Sequence, residues 1–188
     1  MTLDNADAVY SYRIDATDMI VRLSENWGDF AAANEGAAGC DHCVVVESRL
    51  WDFIDSDEVR LLYGILLERI RRDGRPVRLP YRCDAPHERR FLQLEMVPHP
   101  EGEVDFHSSL LRVESRDPVR ILAADAPRSN EFVKVCSLCK RFVMPDGAWV
   151  EVETALKRLG LFDEPLLPRL THGLCPECYD AAVAELDA

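Results

Sequence analysis

Two Cys-x-x-Cys turns, Cys136-Ser137-Leu138-Cys139 and Cys175-Pro176-Glu177-Cys178, constrain the fold of this chain more than any other feature. Each turn sets two sulfurs on one edge, and two such turns supply a tetrahedral set of four thiolates. Whatever path the intervening chain takes, it must bring Cys175 back beside Cys139. Thirty-five residues separate the turns, beyond the roughly 15–20 of short zinc motifs. Loop-closure entropy grows only logarithmically, so the longer insert costs well under ~1 kcal/mol extra, and its own structure lowers even that.

The set suits a structural zinc, with reduced dithiols or iron as the alternatives. Four protein ligands close the site and leave no open position, which argues against a catalytic metal. His172, three residues before Cys175, could substitute as a ligand; the favoured reading is a ring that hydrogen-bonds locally and orients the knuckle. A helix beginning at Pro176 would aim its free N–H groups near Cys175 and Cys178 and stabilise thiolate.

Six of the seven cysteines fall in Cys-x-x-Cys pairs. The third pair, Cys40-Asp41-His42-Cys43, lies in a loop with no obvious second pair. It is read as two incidental thiols, as a redox pair, or as a metal site completed from elsewhere. Cys83 alternates with Val77 and Leu79 and is expected in the core.

The segment after Met1, TLDNADAV, has neither a basic nor an apolar stretch, so no secretory signal is expected. A soluble, cytoplasmic protein follows as the expectation, with no membrane association. Formal charge is -12, from 34 acidic and 22 basic residues. Such a surface repels phosphate backbones and anionic lipid, making nucleic acid a poor default partner. Residues 60–90 depart from the trend with nine arginines. The favoured reading is a solvated helix end and sheet-edge ion pairs, the alternative a docking patch for an acidic partner.

Residues 8–14 and 19–23 read as a hairpin around the turn 15-DATD-18. Ser24 is a good N-cap for a short helix, ENWGDFAAAN, and Ser48 for a helical turn through LWDFI. Ser56 caps the clearest helix, whose face Val59, Leu62, Tyr63, Leu66 and Ile70 is apolar, and Gly74 ends it. Three alternating strands follow, in VRLPYRC, FLQLEMV and VDFHSSLLRV. Residues 116–130 show no sustained period and read as a connector. Beyond them, Pro145-Asp146-Gly147 marks a hairpin, ETALKRLGL a short helix and 176–186 another. The fold class is α+β, an antiparallel sheet with helices on one face plus a small four-cysteine module.

The order of these elements, with YRID-ATDMIVRLSENWGDFA and its Asn26-Trp27 pair, SRLWDFI, and RPVRLPYRCDAP-HERRFLQLEMVP, resembles bacterial PAS-like sensory domains over roughly residues 8–115. Residues 133–180 resemble a cysteine-rich tail that follows bacterial sensory domains. The matching positions are Cys136, Cys139, Lys140, Arg141, Trp149, Thr171, His172, Gly173, Cys175, Pro176 and Cys178. The division implied is a PAS-like domain over 1–115, a linker over 116–130 and a zinc-ribbon-like module over 131–188.

The resemblance implies a non-enzymatic sensory or regulatory protein that binds a small ligand or a protein partner, with homodimerisation through the sheet as the family expectation. A ligand pocket would lie near Trp27, Phe30, Trp51 and Tyr63, although plain core packing explains the same aromatics. Arg90-Phe91-Leu92-Gln93 copies the tail of the flavin photoreceptor motif, but Arg89 stands where that photochemistry needs cysteine. The alternative function is a thiol redox switch or oxidoreductase using Cys40 and Cys43.

Overall fold

The structure, a computed structural model, describes residues 9–28 and 45–186. The helix expected over 25–34 passes outside the described residues from residue 29 onward, as do Phe30, Cys40, His42 and Cys43.

Strands β1 (Val9–Ile14) and β2 (Ile20–Leu23) form the expected opening hairpin. Its turn is built by Asp15, whose Oδ1 accepts the backbone N–H of Thr17 at 2.8 Å and of Met19 at 3.0 Å. Such Asx contacts replace backbone bonds that a tight turn cannot make. After a 3-10 turn at Leu50–Phe53, helix α1 runs over Asp57–Asp73. Ser56 Oγ accepts the N–H of Val59, and Gly74 closes the helix at φ 66°. Val59, Leu62, Leu66, Leu67 and Ile70 form its buried face.

Strands β3 (Val77–Arg82), β4 (Glu88–Pro98) and β5 (Val104–Ser115) complete a five-stranded antiparallel sheet in the order β2-β1-β5-β4-β3. Phe106 lies at its centre, opposite Tyr12 on one side and Met96 on the other. Its ring is fully buried and stacks on Tyr12 at 4.5 Å and Tyr63 at 6.4 Å. Burying a side chain of this size contributes about 1.5–3 kcal/mol. Ile14, Leu79, Leu94, Met96 and Val104 pack with the α1 face in one core.

Several of the arginines of 60–90 are engaged within the fold. Arg78 pairs with Glu95 directly across the strands at 2.7 Å. Arg71 reaches Asp18 and the Gly102 carbonyl, and Arg60 donates to the carbonyls of Trp51 and Ile54.

A second sheet follows, ordered β8-β7-β6-β9. It comprises β6 (Arg128–Cys136), β7 (Phe142–Val143), β8 (Trp149–Val150) and β9 (Leu167–Gly173). The β7–β8 hairpin turns at the expected Pro145-Asp146-Gly147, and α2 (Val152–Leu159) and α3 (Pro176–Ala184) are the two expected helices. The parallel pairing of β6 with β9 was not legible beforehand. It needs a long crossover, which the hairpin and α2 supply.

Residues 116–130, expected as a connector, carry packed positions. Val119 and Ile121 are buried in a second core with Val133, Val135, Phe142, Val152, Leu156 and Leu167, and β6 already begins at Arg128. A single 3-10 turn at Arg120–Leu122 buries one side chain, Ile121, and so leaves no periodic signature. Among the described residues, no helix is long and apolar enough to cross a membrane.

Candidate metal centre

The centre is assembled where the parallel strands β6 and β9 of the second sheet end. Strand β6 delivers Cys136 as its last residue, and β9 ends alongside it, with Gly173 paired to Cys136. The Ser137 N–H donates to the Gly173 carbonyl at 2.8 Å, fastening one turn to the other. The first turn then closes on itself. Lys140, in the left-handed region at φ 60°, donates its N–H to the Cys136 carbonyl, and the Cys136 N–H reaches the Arg141 carbonyl at 2.8 Å. Cys175 is the N-cap of α3, and Pro176 supplies the preset φ of a first helical residue.

The sulfurs of Cys136, Cys139, Cys175 and Cys178 all lie within 4.8 Å of one another. A tetrahedral site with metal–sulfur bonds of about 2.3 Å has sulfur–sulfur edges of about 3.8 Å. Cys139 and Cys175 stand 3.7 Å apart, which fits that edge. Cys136 and Cys175 are buried, while Cys139 and Cys178 are partly exposed, so the cluster has an inner and an outer half. The four residues can hold one metal ion with no other ligand.

Four thiols this close share protons until a cation replaces them. Hydrogen bonds from Cys139 and Cys178 and from the backbone N–H groups of Cys139 and Cys175 hold the Cys136 thiol far below its usual range. Burial pushes Cys175 up to about 11. Cys178 is pushed far up because its proton is held between Cys136 and Cys139. A divalent ion favours four thiolates instead, so metal uptake releases protons.

Two basic residues of the first turn flank the sulfurs. Arg141 Nε donates to Cys139 Sγ at 3.2 Å, and its Nη2 pairs with Glu177. Lys140 Nζ donates to the Ser137 carbonyl at 2.9 Å. Both stand in the Cys-x-x-Cys-Lys-Arg pattern, which by itself assigns neither a role. His172 sits on β9 opposite Val135 and is exposed, outside the sulfur cluster.

The centre is not an appendage. Cys136, Leu138, Cys175 and Ala182 are buried in the same core as the five-stranded sheet and α1. Arg82, at the end of β3, donates its N–H to the Leu138 carbonyl at 2.7 Å. Its guanidinium, itself buried, joins Asp84 to Glu151 at the start of α2. Arg116 adds a second cation on Asp84, and Arg89 pairs with Glu153 of α2. Apart from the Arg82–Asp84 pair these charged partners are far apart in sequence, and no spacing pattern announces them.

Of the expected pocket residues, Trp27 packs edge-on against Tyr12, and Tyr63 stacks on Phe106. Trp51 donates its indole N–H to Asp18 Oδ2 at 2.8 Å. All three pack against the first core, in the manner of core aromatics. Cys83 is partly buried rather than a full core residue, and its sulfur lies 3.8 Å from Arg90 Nη2. The departure begins at Arg82, which turns inward to its carboxylates and breaks the alternation of β3.

The chain matches no family model and no curated protein.

Proposed function

We propose that this chain is a non-enzymatic sensory or regulatory protein in which a PAS-like domain binds a small ligand or a protein partner and a structural zinc holds the C-terminal unit against it. The observation that carries the reading is the four-cysteine cluster, with all its ligand atoms within 4.8 Å of one another. That set suits zinc by donor type and spacing, and it fills the coordination sphere. When bound, the zinc supplies a cross-link and no reactive position.

The sheet order β2-β1-β5-β4-β3, with α1 packed against it, supports the PAS-like part of the reading. The two parts share a core, so a change in either alters the packing of the other. A protein of this kind passes its signal by association, through a homodimer or a different protein partner.

Elemental analysis of protein purified without added metal, with its absorption spectrum, tests the proposal. About one zinc per chain without a visible band supports it. Two zincs would make Cys40 and Cys43 part of a second site. Iron with a visible band would replace the structural reading by a redox centre, and metal-free protein with reversibly oxidisable thiols by a thiol switch.

A further inference from the structure

We propose that the metal–thiolate centre is chemically asymmetric: Arg141 protects Cys139, and Cys178 is the ligand at which electrophiles attack and from which the metal is released. The inference rests on the metal reading above and adds a reactive position to it.

Exposure divides the four sulfurs first. Cys136 and Cys175 are buried, at 0% and 1% exposure, so a reagent from solvent meets Cys139 and Cys178. The guanidinium of Arg141 divides that outer pair. Its Nε donates to Cys139 at 3.2 Å, and its Nη2 lies 3.8 Å from Cys175. Glu177, one residue before Cys178, holds the other edge of the same group by an ion pair. Among the described residues, no basic side chain donates to Cys178.

A divalent ion with four thiolates carries about two net negative charges. A guanidinium bonded to one thiolate withdraws electron density from that sulfur and lowers its reactivity, as hydrogen bonds to metal ligands generally tune them. The remaining negative charge is then most available at Cys178. Arg141 is a positioning residue here: it touches the ligands and not the metal.

N-ethylmaleimide makes the step explicit. The thiolate of Cys178 adds to one alkene carbon, forming a carbon–sulfur bond as the alkene π bond breaks. The neighbouring carbon takes a proton from water. The thioether would be a poor ligand, so only the thiolates of Cys136, Cys139 and Cys175 would remain to hold the ion.

The test uses the full chain loaded with zinc and limiting N-ethylmaleimide, with labelling assigned to each cysteine by peptide fragmentation and zinc release followed with a chromogenic chelator. The expected result is labelling of Cys178 well ahead of Cys139, with zinc released in step with Cys178 labelling. Arg141→Met is expected to raise Cys139 labelling and to speed zinc loss by about 10–100-fold, with Arg141→Lys falling between. Circular dichroism and zinc content establish that the variants fold. Should Arg141→Met fail to fold, Glu177→Gln releases the far edge of the guanidinium and should shift the labelling order in the same direction, less far. Equal labelling of Cys139 and Cys178 in the wild-type protein, or an order unmoved by these substitutions, would overturn the inference while leaving the metal reading intact. Protein that binds no metal would overturn both.

Discussion

The backbone N–H of Arg82 donates to the carbonyl of Leu138 at 2.7 Å, joining the end of edge strand β3 to the first cysteine turn. An edge strand leaves alternate backbone groups unpaired, and buried ones must find partners. Here the partner lies between two cysteines of the cluster. Leu138 is itself buried in the core that holds Phe106 and Ile70. Folding of the sheet edge and formation of the centre are therefore coupled.

Removal of the metal should loosen β3 as well as the cysteine turns. With a strong chelator, or in Cys175→Ser, the midpoint of thermal unfolding is expected to fall by on the order of 10 °C, about 3 kcal/mol or more for a chain of this size. Hydrogen exchange should show the Arg82 amide losing protection together with those of Cys136 and Ser137. Protection of Arg82 that persists after metal removal would separate the two events.

Asp84 should be among the costliest residues outside the centre to remove. Its side chain is 2% exposed and meets Arg82 at 2.5 Å and Arg116 at 3.2 Å, the latter guanidinium being 4% exposed. Asp84→Ala takes the shared buried carboxylate from both cations and leaves them only the more exposed Glu151 and Glu153, a change that costs about 3–5 kcal/mol. Arg78→Ala removes an exposed cross-strand pair with Glu95 and should cost under about 1 kcal/mol. Urea denaturation of the two variants measures the contrast, and similar costs would show that the Asp84 network is not energetically special.

The parts of this architecture that were readable in the sequence are those written in local patterns. Ser56, the apolar face from Val59 to Ile70 and Gly74 specify α1 within one stretch of chain. The spacing of the four cysteines likewise marks the centre in which their sulfurs cluster within 4.8 Å. Strand β9 escaped because Pro168 and polar neighbours hide it. The β6–β9 register shifts between Arg128 and Phe132, which accommodates a residue with no N–H to donate. The burial of Arg82 escaped for a different reason. Only the fold brings Glu151 and Arg116 to its neighbourhood, and an arginine on a strand otherwise reads as solvent-facing.

Acid should weaken the first sheet through Asp105. Arg13 grips this carboxylate with Nε at 2.6 Å and Nη2 at 2.8 Å, and those bonds hold its pKa below the usual value. A carboxylate whose folded pKa lies below its unfolded value stabilises the fold above the unfolded value, near 4. That contribution is lost as pH falls through the folded value. Stability should thus be flat in Asp105 ionisation at neutral pH and decline below about pH 4. Asp105→Asn should lower stability at pH 7 and flatten the acid limb, as read from urea midpoints between pH 7 and 2. An unchanged acid limb would assign the decline to other carboxylates held low, such as Glu58 and Glu153.

Asp18 joins the opening hairpin to the 3-10 turn and to α1 through its side chain, and substitutions can separate those bonds from its backbone conformation. Its Oδ2 accepts the Trp51 indole N–H at 2.8 Å, and its Oδ1 accepts from Arg71 Nη2 at 2.8 Å. Its backbone is left-handed, at φ 65°, where a side chain other than Asn or Asp costs about 1 kcal/mol or more relative to glycine. Asp18→Ala loses both hydrogen bonds and keeps the backbone cost, so about 2–4 kcal/mol of stability should disappear. Asp18→Gly loses the same bonds but relieves the backbone and should retain about 1 kcal/mol more than the alanine variant. Asp18→Asn suits the left-handed backbone and keeps one acceptor, so it should rank above both. Equal stabilities for the alanine and glycine variants would show that the side-chain bonds alone hold this corner; a glycine variant matching the parent would show that the backbone alone does.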